Sequence, residues 1–92
     1  MAYRQKTKDA VKSSVLTLGS RIGRRAIYLG VSVQELSLMT GATRKTMYSW
    51  LSGGWIIPAY RDRARRVYEI LKESSTREDA LQRARKTLNI DG

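Results

Sequence analysis

Ser32 to Gly53 reads SVQELSLMTGATRKTMYSWLSG, and the order of residue types in this stretch decides the architecture. Ser32 stands three residues before Glu35, the spacing at which a serine oxygen accepts from the Glu35 amide while the carboxylate reaches back to the Ser32 amide. Val31 and Leu36 flank that cap and supply its hydrophobic staple. Leu36 and Met39 turn inward on the short helix that follows, and Gly41 ends it, because glycine enters the left-handed region without a Cβ penalty. Two residues on, Thr43 caps a second helix, predicted over Arg44 to Ser52, with Met47, Trp50 and Leu51 at offsets 0, 3 and 4 on its inner side. Gly53-Gly54 closes it.

Upstream, Val15, Leu18, Ile22, Ala26 and Leu29 fall at offsets 0, 3, 7, 11 and 14, one face of a helix that Ser13 or Ser14 can cap and Gly30 can stop. Gly19 and Gly23, four apart on that helix, predict close packing of a neighbouring element. Downstream, the linker Gly54 to Ala59 is apolar, with Trp55, Ile56 and Ile57 before Pro58, a residue suited to the first turn of a helix. Tyr60, Ala64, Val67, Tyr68 and Leu71 then form an amphipathic stripe, and Asp62 with Arg66 and Arg65 with Glu69 are spaced for ion pairs on its outer side. A last helix begins near Ser75-Thr76, where Ser75 with Glu78 and Thr76 with Asp79 are alternative caps, and carries Leu81, Ala84 and Leu88. No stretch alternates with period two. The expected fold is all-α, a compact bundle of about five helices: a basic arm over residues 1–12, a main domain over 13–74 and a C-terminal helix over 75–92 that packs or oligomerises.

Composition narrows the function classes. Ninety-two residues, 41% hydrophobic and 28% charged, suit one small folded domain with a thin core and exclude a two-domain enzyme. With no cysteine and no histidine there is no disulfide framework, no thiolate metal site and no imidazole base; no metal, cofactor, small-molecule ligand or catalytic arrangement is expected. Eighteen Lys and Arg against eight Asp and Glu give +10, which calls for a polyanionic partner. Met1 to Arg66 carries thirteen basic and three acidic residues, whereas Val67 to Gly92 carries five of each. The surplus therefore sits in the first two thirds. No apolar stretch approaches the ~18 residues of a membrane span and no signal-peptide core opens the chain, so an intracellular location is expected.

Two short helices joined by a tight glycine turn, the second with cations at its N-terminus, form the geometry that lets a helix enter the DNA major groove. Residues Ser32 to Gly53, with Trp50-Leu51-x-Gly53 and then Pro58, resemble the helix-turn-helix of the lambda-repressor/Cro-like family. The likeness spans roughly Leu18 to Leu71. It implies that base reading falls on Thr43, Arg44 and Lys45, with Tyr48 and Ser49 one turn on. Side-chain chemistry agrees, since arginine or lysine pairs with guanine O6 and N7 and hydroxyls bond phosphates or base edges. Ser32 and Gln34 at the start of the preceding helix, and Arg21, Arg24 and Arg25 on the first, are the expected phosphate contacts. Trp50 is expected in the core.

The expected function is that of a sequence-specific, double-stranded DNA-binding transcriptional regulator of the small phage-repressor type, in the cytoplasm of a bacterial or phage-infected cell. The alternative is a DNA-recognition adaptor of a packaging or partition machine, which a ring rather than a dimer would mark. One recognition helix reads few base pairs, so a two-fold homodimer is expected. Its contact is predicted on Trp55, Ile56 and Ile57 together with Leu81 and Leu88, unless the last helix folds back over Ile70 and Leu71.

Overall fold

The computed structural model describes residues 17–88, and the expected basic arm, the Ser13 or Ser14 cap and Val15 lie outside that range. Thr17 is extended and caps helix α1, Leu18–Leu29, its side chain accepting from the Ser20 amide at 3.2 Å. The C-terminus of α1 is closed by two crossed bonds, Gly30 N–H to Ile27 O and Val31 N–H to Ala26 O. Gly30 stands at φ +82°, so the pair forms the left-handed stop that the sequence predicts.

Helix α2, Val33–Thr40, begins at the anticipated capping box: Ser32 N–H reaches the Glu35 carboxylate at 2.8 Å, and Glu35 N–H reaches Ser32 Oγ at 3.1 Å. Gly41 at φ +79° turns the chain out of it. Helix α3, Arg44–Leu51, follows after three residues with Thr43 as its cap. The turn between them is held by two hydroxyls. Buried Thr40 donates to Leu36 O at 2.8 Å and accepts from Ala42 N–H at 3.2 Å, while Ser37 Oγ donates to Ala42 O. A tight turn inside a protein leaves backbone groups that must find partners, and short hydroxyl side chains supply them here.

Helix α4, Pro58–Glu73, opens on Pro58 and buries Ala64, Val67, Ile70 and Leu71, with Tyr60 and Tyr68 packed at the core edge. Neither Asp62 with Arg66 nor Arg65 with Glu69 closes to an ion pair; the pairs that form among the described residues lie on Glu35, Glu73, Glu78 and Asp79. Helix α5, Arg77–Leu88, is started by Thr76, which accepts from the Asp79 amide at 3.1 Å, while the Asp79 carboxylate accepts from Ser75 N–H at 3.2 Å. It lies on α4 and buries Ala80, Ala84 and Leu88, leaving Leu81 half-buried.

The described chain is thus all-helical, five helices around one core of Ile22, Leu36, Met47, Leu51, Val67 and Leu71 with their neighbours, and it holds no strand. Its radius of gyration, 11.8 Å, matches the ~12 Å of a compact chain of this size. Arginines seal several seams. Arg25 Nε donates to Leu71 O at 2.9 Å and its Nη2 to Ser74 O at 3.0 Å, while Arg63 Nε donates to Met39 O at 2.8 Å. Carbonyls at a helix C-terminus lack intrahelical partners, and these guanidiniums satisfy them from another element.

Gly19 marks the tightest joint: a Cβ there would stand 2.2 Å from the carbonyl oxygen of Trp50, which is backbone and cannot swing aside. Alanine has the better helix propensity by about 0.8–1 kcal/mol, but the overlap requires α1 and α3 to separate. We expect Gly19→Ala to lower stability by about 1–3 kcal/mol, the usual cost of overpacking, read as a shift in the urea midpoint. An unchanged or raised midpoint would show that the joint has slack.

Candidate nucleic-acid interface

Met47, Trp50 and Leu51 point inward, and the Trp50 ring meets Tyr60 edge-on with centroids 5.5 Å apart. With that side of α3 buried, the other side is left to Thr43, Arg44, Lys45 and Ser49, all exposed, and Tyr48, which packs half-buried against the core. The structure therefore brings these five predicted residues together on one outward surface. Thr43 Oγ1 accepts from Thr46 N–H at 3.2 Å and donates to Thr46 Oγ1 at 3.0 Å, so its first duty is the cap. Ser49 lies under Gly54, whose amide donates to Ser49 O at 2.8 Å.

Arg44 and Lys45 have no hydrogen-bond or ion-pair partner among the described residues. The first turn of α3 contains no carboxylate to offset them. Two cations at the positive end of a helix dipole cost about 0.3–1 kcal/mol each, a cost that an incoming anion reverses.

The start of α2 is arranged differently. Gln34 is exposed, but the Ser32 amide and one hydroxyl lone pair are engaged by Glu35, and the Glu35 carboxylate is held in turn by Arg77 of α5. A carboxylate already occupies this helix N-terminus. Of the groups named for phosphate contact there, Gln34 is exposed, whereas the Ser32 hydroxyl is also drawn to the Glu35 carboxylate.

On α1 the three arginines stand apart from α3. At about 100° per residue, Arg21, Arg24 and Arg25 lie within about 60° of the direction opposite Gly19, the residue that touches Trp50. Arg21 and Arg24 are exposed on that far side. Arg25 has a structural task, bonding the C-terminal carbonyls of α4 with its guanidinium 4.8 Å from the centre of the Tyr28 ring. Local sequence gave no signal for this, because its partners lie 46 and 49 residues away.

The apolar surface proposed for self-association divides. Ile56 and Leu88 are buried in the chain's own core, so neither can face a copy while the fold is intact. The C-terminal helix folds back on α4, the arrangement weighed against a free oligomerising helix. Trp55 and Ile57 stay exposed at 69% and 45%, and Leu81 is half-buried. No family model, curated protein or solved structure matches this chain. Among the described residues no group of acidic, cysteine or histidine side chains is placed to hold a metal, and no helix is long and apolar enough to cross a membrane.

Burial raises the Glu35 pKa, but the Ser32 amide and the Arg77 guanidinium outweigh it and hold the carboxyl below the ordinary 4.5. A carboxyl depressed in the folded state stabilises fully above its unfolded value, and that contribution is lost as pH falls through the folded value. Stability should therefore decline below about pH 4.5. Glu35→Gln keeps the reach-back bond of the cap without a titrating group, so its urea midpoint should fall less over the same range. Asp79, lowered by the Ser75 amide and by Arg83, supplies a remaining slope. Identical acid profiles for the two proteins would overturn this assignment.

Proposed function

We propose that the chain is a sequence-specific double-stranded DNA-binding protein, a small transcriptional regulator of the lambda-repressor/Cro-like kind, in which α2 and α3 act as a helix-turn-helix. The observation that carries the reading is the uncompensated Arg44 and Lys45 at the outward start of α3, a helix fixed from behind by Met47, Trp50 and Leu51. In this reading α3 enters the major groove. Arg44 and Lys45 approach guanine edges, Thr43 and Ser49 add hydroxyls, and Tyr48 lies against the sugar-phosphate wall or a thymine methyl. The formal +10 supplies the long-range attraction.

Duplex binding should weaken steeply with salt, in line with about 6–10 phosphate contacts for a dimer, and should retain a sequence preference. Selection of binding sites from a random duplex library supplies the preferred sequence. On it, Arg44→Ala or Lys45→Ala should cost about 1–3 kcal/mol and relax the preference at one position, whereas Lys86→Ala on α5 should leave the preference intact. Equal affinity for selected and random duplexes at ~150 mM salt would leave only the phosphate term and end the specific reading.

The regulator is further proposed to act as a homodimer through Trp55 and Ile57, the apolar linker side chains that the core leaves outside. Two heads then meet half-sites about 34 Å apart. Sedimentation should give a dimer for the parent chain and a monomer for Ile57→Glu, whose exposed position spares the fold. A parent chain that stays monomeric both free and on a palindromic duplex would overturn the dimer.

A further inference from the structure

Between Ser32 and Gly53 the chain carries a single carboxylate, Glu35, and its place is the start of α2. It is fixed there. One oxygen accepts from the Ser32 amide at 2.8 Å and from Arg77 Nε at 3.2 Å, and the other accepts from Arg77 Nη2. Burial works against the charge, but the Ser32 amide and Arg77 prevail, so the carboxyl is ionised at neutral pH. Glu35 cannot turn away without opening the capping box that begins the helix.

Such a charge conflicts with the duplex reading, on which this inference rests. In a helix-turn-helix the first helix crosses the sugar-phosphate backbone while the second enters the groove, so the start of α2 meets phosphates. A bare carboxylate there repels them, and water screens the repulsion poorly because the Glu35 side chain is only 16% exposed. Arg77 answers the charge from the first residue of α5, 42 residues further on. Its third nitrogen stands 3.5 Å from Glu78, an 80% exposed side chain whose charge water and salt screen.

We propose that Arg77 is a positioning residue for duplex binding: held on Glu35 from α5, it neutralises the one fixed carboxylate that would otherwise face the DNA backbone at the start of α2. Helix α5 thereby takes part in recognition without touching a base. The effect carries no sequence information, so it falls on affinity for every duplex alike.

The test is a set of charge variants of the full chain, read by fluorescence anisotropy of a labelled duplex carrying the selected site and of a random duplex. Arg77→Ala should weaken both about three- to tenfold at ~75 mM salt, and by less at ~300 mM, where screening shortens the reach of Glu35. Arg77→Gln, which keeps a hydrogen bond but not the charge, should behave as Arg77→Ala does, and Arg77→Lys should stay within about twofold of the parent. Adding Glu35→Gln, which keeps the cap, to Arg77→Ala should restore the parent affinity. That rescue separates charge from scaffold, because a residue that merely holds α5 in place is not replaced by removing the Glu35 charge. Urea midpoints taken alongside confirm that each variant is folded. Arg77→Gln equal to the parent, or a double variant as weak as Arg77→Ala, overturns this assignment while the duplex reading stands. A parent that binds neither duplex overturns the duplex reading, and this assignment with it.

Discussion

The absence of a side chain at Gly19 lets α1 come so close to α3 that the Trp50 carbonyl occupies the space a Cβ would need, and the remaining geometry follows from that contact. It fixes the rotation of α3, because Trp50 has Gly19 on one side and the Tyr60 ring on the other. With Trp50 pinned, Met47 and Leu51 complete an inward face, and Arg44, Lys45 and Ser49 have only the outward one. The same contact sets the orientation of α1. Whatever lies opposite Gly19 on that helix must face away from α3, and there the chain carries three arginines and a tyrosine. One missing methyl group thus separates two cationic surfaces.

Charge in this protein does two kinds of work. Arg25 and Arg63 are turned toward carbonyls at helix ends, Arg61 toward Ile56 O, and Arg77 and Arg83 toward carboxylates. Arg25, Arg63 and Arg77 join elements that are distant in sequence, and the Arg77 to Glu35 pair carries α5 to the start of α2. Arg44, Lys45, Arg21 and Lys72 have no such commitments. The division matters because a cation held by neutral carbonyls keeps its charge but loses its freedom to follow a ligand, whereas a side chain in solvent keeps both.

What the sequence revealed is what local chemistry encodes. The capping box at Ser32 and Glu35, the stops at Gly30 and Gly41, the Thr43 cap and the inward turn of Trp50 each depend on residues within a few positions of one another, and each is present. Most of the errors have a common cause, a partner far along the chain. Nothing near Arg25 announces that Leu71 and Ser74 need donors, and nothing in the run Trp55-Ile56-Ile57 says that only the middle residue enters the core. The inner face of α5 proved to be Ala80, Ala84 and Leu88, because packing on α4 favours small residues that a pattern of large apolar groups passes over. The Asp62–Arg66 spacing was correct for a pair, yet helical spacing permits a contact without requiring it.

The two tryptophans stand in opposite surroundings, Trp50 at 2% exposure in the core and Trp55 at 69% outside it. Indole emission moves to longer wavelength in contact with water, so the chain carries two intrinsic dyes of different colour, one beside α3 and one at the mouth of α4. A soluble quencher reaches Trp55 first and leaves Trp50 to report the interior alone. Ligand arriving at the outward side of α3, subunits meeting at the linker and loosening of the core would each change a different part of the spectrum, without any label attached.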